Sequence, residues 1–287
     1  MVRGIEKFKE YFAGYEGNYV IIGGTACDIL EENAGQQPRA TKDIDIILIV
    51  EALTADFIKR FWEFIKAGQY ETRQRGNGKH EYFRFLKPQT TDFPFQIELF
   101  SRKPDILQIC NDTTLTPIPV EENLSSLSAI LMNDEYYSFT IEHSTVEDNI
   151  SRANIESLIV LKAKAFIDLS DRKAKGEIID GQNILKHKRD IFRLATMLAE
   201  TDSFNLPDDI YLDFAIFRES IKESLPDDDF FTKTIGIKGL TAPMVFDKLC
   251  KSFKIEWENE NTIRIGFTFG ISGKCPLFTR QSNRSCR

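Results

Sequence analysis

The sequence predicts an α+β chain, with strands and helices sharing one sheet over residues 1–150 and a mainly helical domain over 151–287. Three observations carry that prediction. Short apolar, β-branched runs alternate with helical patterns through the first 100 residues. From about Asn154 the pattern changes to long stretches of helical periodicity. The 287 residues are 42% hydrophobic, enough to fill one large core or two modest ones.

Taken in order, "NYVIIGG" reads as a short apolar strand, and "TACDILEENAG" as a helix with Ala26, Ile29 and Leu30 at helical spacing and Gly35 as its stop. The two glycines therefore fall at a strand-to-helix turn. "DIDIILIVE" is a β-branched strand. "TADFIKRFWEFIKAG" is an amphipathic helix with Thr54 as N-cap and Gly68 as stop, and "HEYFRFLK" and "FQIELF" are strands around the loop "PQTTDFP". A further strand pair, "LSSLSAILM" and "YYSFTIEH", is expected around the turn "NDE". Beyond it, "NIESLIVLKAKAFIDLSDRKAK", "GQNILKHKRDIFRLATMLAE", "LDFAIFRESIKESL" and "APMVFDKLCKSF" are helical. The last stretch, Ser272 to Arg287, holds four basic residues and no acidic one, and is expected as a loose tail.

The net charge of −7 argues against a protein that coats nucleic acid by bulk charge, so any RNA contact has to be focused. No stretch approaches the roughly 18 apolar residues of a membrane span, and charges are spread through the N-terminus, so a cytoplasmic location without membrane contact is expected. Five cysteines without a CxxC pair and three scattered histidines support neither a disulfide framework nor a zinc site.

The chemistry-bearing residues lie in the strands. In "TKDIDIILIV", Asp43 and Asp45 project from one face of a strand while Ile44 and Ile46 point to the other. Two like charges side by side repel, and a divalent cation relieves them; Mg²⁺, which takes carboxylate and phosphate oxygens together, suits the pair. Glu98 in "FQIELF" offers a third carboxylate if the two strands are neighbours, and three such groups can hold two metals ~3.5–4 Å apart. An Asp-x-Asp alone is common, and so is a Gly-Gly turn. Their order carries the meaning: strand, Gly-Gly-Thr, helix, the basic loop "RATK", then Asp-x-Asp. That order gives a helix N-terminus with free N–H groups for phosphate, followed by metal ligands one helix and one strand away. Neither G-x-x-x-x-G-K-[ST] nor G-x-G-x-x-G is present.

Together, "IIGGTACDIL", "RATKDIDIIL" and "FQIELF" resemble the nucleotidyltransferase fold of the DNA polymerase β superfamily, which implies a mixed sheet in the first domain. The resemblance implies that Gly23, Gly24 and Thr25, with Lys42, contact an incoming triphosphate, and that Asp43, Asp45 and Glu98 hold a two-metal Mg²⁺ site. In the helical half, "IESLIVLKAKAFIDLSDR" followed by "KHKRDIFRLA" is similar to the signature of AbiEii-type bacterial nucleotidyltransferases. By that match Lys162 takes a catalytic lysine position, with Lys164 as a competitor. Arg172 takes a nucleotide-binding arginine position and Asp190 a catalytic aspartate position. Where a second acid often follows three residues later, this chain has Arg193. The resemblance covers about residues 19–197. It implies nucleotide transfer from an NTP, GTP favoured, to an RNA (tRNA) or protein acceptor, as the toxin-like component of a toxin–antitoxin or phage-defence system with an antitoxin encoded nearby. The alternatives are transfer to a small molecule such as an antibiotic, or a non-catalytic nucleotide- or partner-binding module.

Overall fold

The computed structural model describes residues 2–39, 41–71, 82–100, 130 and 133–255. The first half runs α1 (Ile5–Phe12), β1 (Tyr19–Ile22), α2 (Gly23–Asn33), β2 (Asp43–Leu48), α3 (Ala55–Gly68), β3 (Tyr82–Leu86) and β4 (Gln96–Phe100). Next come α4 (Asp134–Glu142), β5 (Ser144–Glu147) and β6 (Ile150–Ala153). The chain then turns helical: α5 (Ile155–Ala174), α6 (Gly181–Thr196), α7 (Asp208–Ile221) and α8 (Ala242–Ser252). The fold is thus α+β. The six strands among the described residues lie in the order β3-β4-β2-β1-β6-β5. The β2–β4 and β1–β6 pairs are parallel and the other neighbours antiparallel, which makes the sheet mixed.

The register sorts the sheet into two unlike faces. Phe85, Ile97 and Ile44 are lateral neighbours across β3, β4 and β2. Phe85 packs edge-on against Phe61 and Trp62 of α3, at ring separations of 5.6 and 5.9 Å, so this row faces the α3 layer. Tyr19 lies on the same face, in contact with Phe8 of α1 at 5.3 Å. One residue along, the row Arg84–Glu98–Asp45–Ile22 points to the opposite face, because side chains alternate along every strand. That second face is the one covered by α2.

The helical half closes over α2 through a buried ion pair. Arg193 of α6 donates Nε to Glu31 Oε1 of α2 at 2.9 Å and a guanidinium N–H to Glu31 Oε2. It also donates to the Gln37 carbonyl. Bidentate pairing with a further acceptor is what makes burial of both charges tolerable. Further along the same face of α6, the Thr196 hydroxyl accepts from Gln36 Nε2 at 3.0 Å, and Asp190 binds Arg39. Residues 190, 193 and 196 thus strap the segment between α2 and β2 at 39, 37 and 36.

Several elements depart from expectation. "YYSFTIEH" forms most of α4 rather than a strand: Asn133 Oδ1 accepts from the N–H groups of Glu135 and Tyr136, and Asp134 and Glu135 add charge to the first turn. These caps outweigh the strand preference of its aromatic and β-branched residues. Its expected partner, 124–132, lies outside the described residues apart from Ile130. The end of α3 falls one residue late, with Gln69 rather than Gly68 in the left-handed conformation at φ 50°. Residue 150 begins β6, and residues 1–255 fall in one compact unit. The expected C-terminal tail lies outside the described residues. Among those described, no helix is long and apolar enough to cross a membrane.

Candidate active site

At the site the β2 register decides everything. Asp45 is the lateral partner of Glu98 on parallel β4, and Asp43 precedes it by two residues on the same face. Asp43 and Asp45 are half-buried, and neither carboxylate makes a hydrogen bond or ion pair among the described residues. Burial pushes the Asp43 carboxyl up, against the pull of Lys186, Arg84 and Lys42. Asp45 is pushed up further, by burial first and then by Glu98 and Asp43, with Lys186 and Lys162 opposing. Glu98 is buried and raised to about 6, again by burial first, with Arg84 countering it. Arg84 donates Nε to Glu98 Oε1 at 2.8 Å, and Gln96 Nε2 donates to the same oxygen at 2.6 Å. Oε2 takes neither of these bonds.

Among the described residues, no group of three or more His, Cys, Asp and Glu side chains is arranged to hold a metal ion. Of the expected three carboxylates, Glu98 stands beside Asp45 with one oxygen taken up by Arg84 and Gln96. What fits a divalent cation is the Asp43–Asp45 pair: two adjacent, half-buried carboxylates that repel each other and that no hydrogen bond or ion pair ties up among the described residues.

The glycine turn is shaped around this pair. Gly23 opens α2 at φ +68°, a conformation that side chains other than glycine's rarely adopt, and a Cβ there would lie 1.8 Å from Asp45 Oδ2. A Cβ on Gly24 would lie 2.6 Å from the Thr41 hydroxyl oxygen. The glycines thus let the N-terminus of α2 close onto Asp45, and no side chain caps that N-terminus. Thr25 is fully buried, and its hydroxyl donates to the Asp43 carbonyl, so its side chain ties α2 to β2. Lys42 is exposed beside Asp43.

From the helical half, Lys162 of α5 donates to Asp190 Oδ2 of α6 at 2.7 Å, and both are buried. Arg39 embraces the same carboxylate, at 3.0 Å to Oδ1 and 3.1 Å to Oδ2. Burial alone would raise Asp190, but Lys162 and Arg39 outweigh it and hold the carboxyl below its ordinary value. Asp190 in turn keeps Lys162 protonated despite its burial. Lys164, two residues on, points away and pairs with Asp213 of α7 at 2.8 Å. Arg172 lies ten residues beyond Lys162, about 15 Å along the helix, and pairs with Glu177 at 2.6 Å. It is not brought to the carboxylates. Cys27 of α2 is buried near Lys162, and burial pushes its thiol up to about 12, an inert structural cysteine.

No family model matches the chain, and no curated protein matches it. Among solved structures the chain is similar to an antigenic nucleotidyltransferase-like protein from Paracoccidioides brasiliensis. The identity is 13% and the TM-score 0.41, over 86% of this chain and 94% of that one.

Sequence reasoning missed Arg39, Arg84 and Lys186. Arg84 had a signal, since it alternates with Phe83 and Phe85 in a strand next to "FQIELF". Arg39 had only its place in "RATK". His187 is a further member of this neighbourhood: its Nδ1 is shut off from solvent without a partner, and burial, then Lys162, lowers it to about 3. A histidine whose folded pKa lies below its ordinary 6.5 binds its proton in the unfolded chain first, so the stability it contributes is full above pH 6.5 and is lost as pH falls toward 3. The expected cost at pH 5 is up to about 2 kcal/mol. Thermal melts of wild type and His187→Gln between pH 7 and 5 check this. The acid slope should be shallower in the variant, and parallel slopes would assign the acid sensitivity elsewhere.

Proposed function

We propose that this chain is a Mg²⁺-dependent nucleotidyltransferase that moves a nucleotide from an NTP to an acceptor hydroxyl. The observation that carries the reading is the unpaired Asp43–Asp45 carboxylate pair, held against the uncapped, glycine-opened N-terminus of α2. Free N–H groups and the helix dipole at such a terminus suit phosphate. Asp43 and Asp45 would hold the cation. When bound, the ion neutralises triphosphate charge and acidifies the attacking hydroxyl. In the transfer, the acceptor oxygen bonds to the α-phosphorus, the α–β bridging bond breaks and pyrophosphate leaves. Glu98, whose Oε2 is bound by neither Arg84 nor Gln96, would receive the acceptor's proton. Lys162, oriented by Asp190, adds fixed positive charge on the helical side.

The finer reading rests on the resemblance of residues 19–197 to AbiEii-type enzymes: an RNA or protein acceptor, GTP as donor, and a toxin-like role beside an antitoxin. Incubation with each α-³²P-labelled NTP, Mg²⁺ and total RNA or lysate tests it. Label is expected on an RNA or protein species, and label on a small molecule alone would redirect the acceptor class. Absence of label from all four NTPs in every fraction would leave a binding module.

A further inference from the structure

The strap between α6 and the α2–β2 segment runs in register: Thr196 meets Gln36, Arg193 meets Gln37, and Asp190 meets Arg39. Both chains continue past the last contact. One turn further toward the N-terminus of α6, on the face of Asp190, is Lys186, while the strapped segment leads on to Asp43. Extended by one step, the strap points Lys186 toward the carboxylate pair, whose charge it opposes.

The cations around this site differ in commitment. Lys162 and Arg39 are both bound to Asp190, Arg84 is bound to Glu98, and Lys188 donates to the Ser224 carbonyl at 2.6 Å. Lys186 is exposed and makes no hydrogen bond or ion pair among the described residues. We propose that Lys186 is the substrate-binding cation of the site, taking the charge of an incoming nucleoside polyphosphate at Asp43 and Asp45 from the α6 side. In this division of labour Lys162, Asp190 and Arg39 form a fixed brace, while Lys186 on α6 and the exposed Lys42 beside Asp43 are ammonium groups still able to change partners, Lys186 being the one that approaches from the α6 side. Lysine suits that role, because a point charge on a flexible four-carbon stem follows a phosphate through the reaction without demanding bidentate geometry. Consistently, Lys186 is the foremost cation acting on both Asp43 and Asp45. The inference rests on the nucleotidyltransferase reading, and on that reading alone does the ligand become a nucleoside triphosphate.

A second role for such a lysine is to compensate the carboxylates themselves, and triphosphate affinity separates the two roles. If Lys186 only balances Asp43 and Asp45, its removal strengthens cation binding and leaves triphosphate affinity alone. If it binds polyphosphate, its removal weakens triphosphate affinity while Mn²⁺ alone binds as well as before or better. The experiment titrates fluorescent analogues of the four nucleoside triphosphates, with Mn²⁺, into wild type, Lys186→Ala, Lys186→Arg and the remote exposed control Lys251→Ala. Lys186→Ala is expected to weaken binding about 10- to 100-fold, the range for one hydrogen bond to a charged group. Arginine should restore most of it, and Lys251→Ala should match wild type. Competition by inorganic tripolyphosphate should weaken in the same proportion, since the contact is to phosphate. Equal affinity of wild type and Lys186→Ala overturns the inference and leaves the enzymatic reading standing. Failure of wild type to bind any of the four analogues overturns both. An exposed helical lysine replaced by alanine, the best helix former, should leave the melting temperature unchanged, which separates a binding defect from a folding one.

Discussion

Asp45→Asn is expected to lower nucleotide transfer by at least about 10³-fold while leaving the melting temperature level or raised. The loss follows from the removal of one of two charges that would hold the cation, an effect of several kcal/mol on the transition state. The stability effect has the opposite sign for the same reason. Asp45 is raised by burial, by Glu98 and by Asp43, so its ionised form is at odds with its surroundings. A neutral amide of the same shape relieves both the desolvation and the repulsion. It also keeps the contact with Gly23, where space is short. Asp43→Asn should behave alike with a smaller gain in stability, since fewer like charges act on it. Steady-state transfer and thermal melts on the same preparations check the pair of signs. Wild-type turnover in Asp45→Asn would remove the metal mechanism, and a large drop in melting temperature would mean that Asp45 is a structural residue whose partner lies elsewhere.

How far this site could be read from the sequence depended on the range of the interactions. Alternation within β2 is local, and it placed Asp43 and Asp45 on one face without any tertiary information. The Gly-Gly turn was local too, but its purpose was not: that a Cβ on Gly23 would meet Asp45 follows only from the antiparallel register of β1 on β2. Glu98 joined the row because β4 pairs parallel to β2 with Asp45 opposite Glu98, and a slip of one residue would have turned it to the other face. Arg84 came with it for the same reason, and by binding Oε1 it limits what Glu98 can do for a metal. The brace of Lys162, Asp190 and Arg39 spans 151 positions between its ends, and no periodicity reports such a contact. Arg193 is the sharpest case. Its meaning lies in Glu31, 162 positions earlier. The α1 helix went unread although Phe8 and Phe12 at i and i+4 mark its buried face. In α4 the bulky aromatic residues suggest a strand, while a single Asn cap sets the helix.

The brace itself yields the second large effect. Lys162→Ala is expected to reduce transfer roughly 10²–10³-fold, as for the loss of one preorganised electrostatic donor, with the protein still folded. Folding survives because Arg39 still pairs with Asp190, by a hydrogen bond to Oδ2 and an ion-pair contact to Oδ1. Asp190→Ala should cost as much activity and more stability, since it leaves two cations facing each other without their shared carboxylate, a loss of about 3–5 kcal/mol by analogy with other broken buried pairs. The double variant should then be little worse in rate than either single one, because lysine without its aspartate is already misplaced. Lys164→Ala is the internal control: successive alternate residues on a helix point about 200° apart, and Lys164 is engaged with Asp213 on the α7 side, so its transfer rate should stay near wild type. A double-mutant cycle in rate, with melts of each variant, decides the matter. Additive losses would mean that Lys162 and Asp190 act separately. Loss with Lys164→Ala and none with Lys162→Ala would move the catalytic charge to the far side of α5, which the burial of Lys162 against Asp190 speaks against.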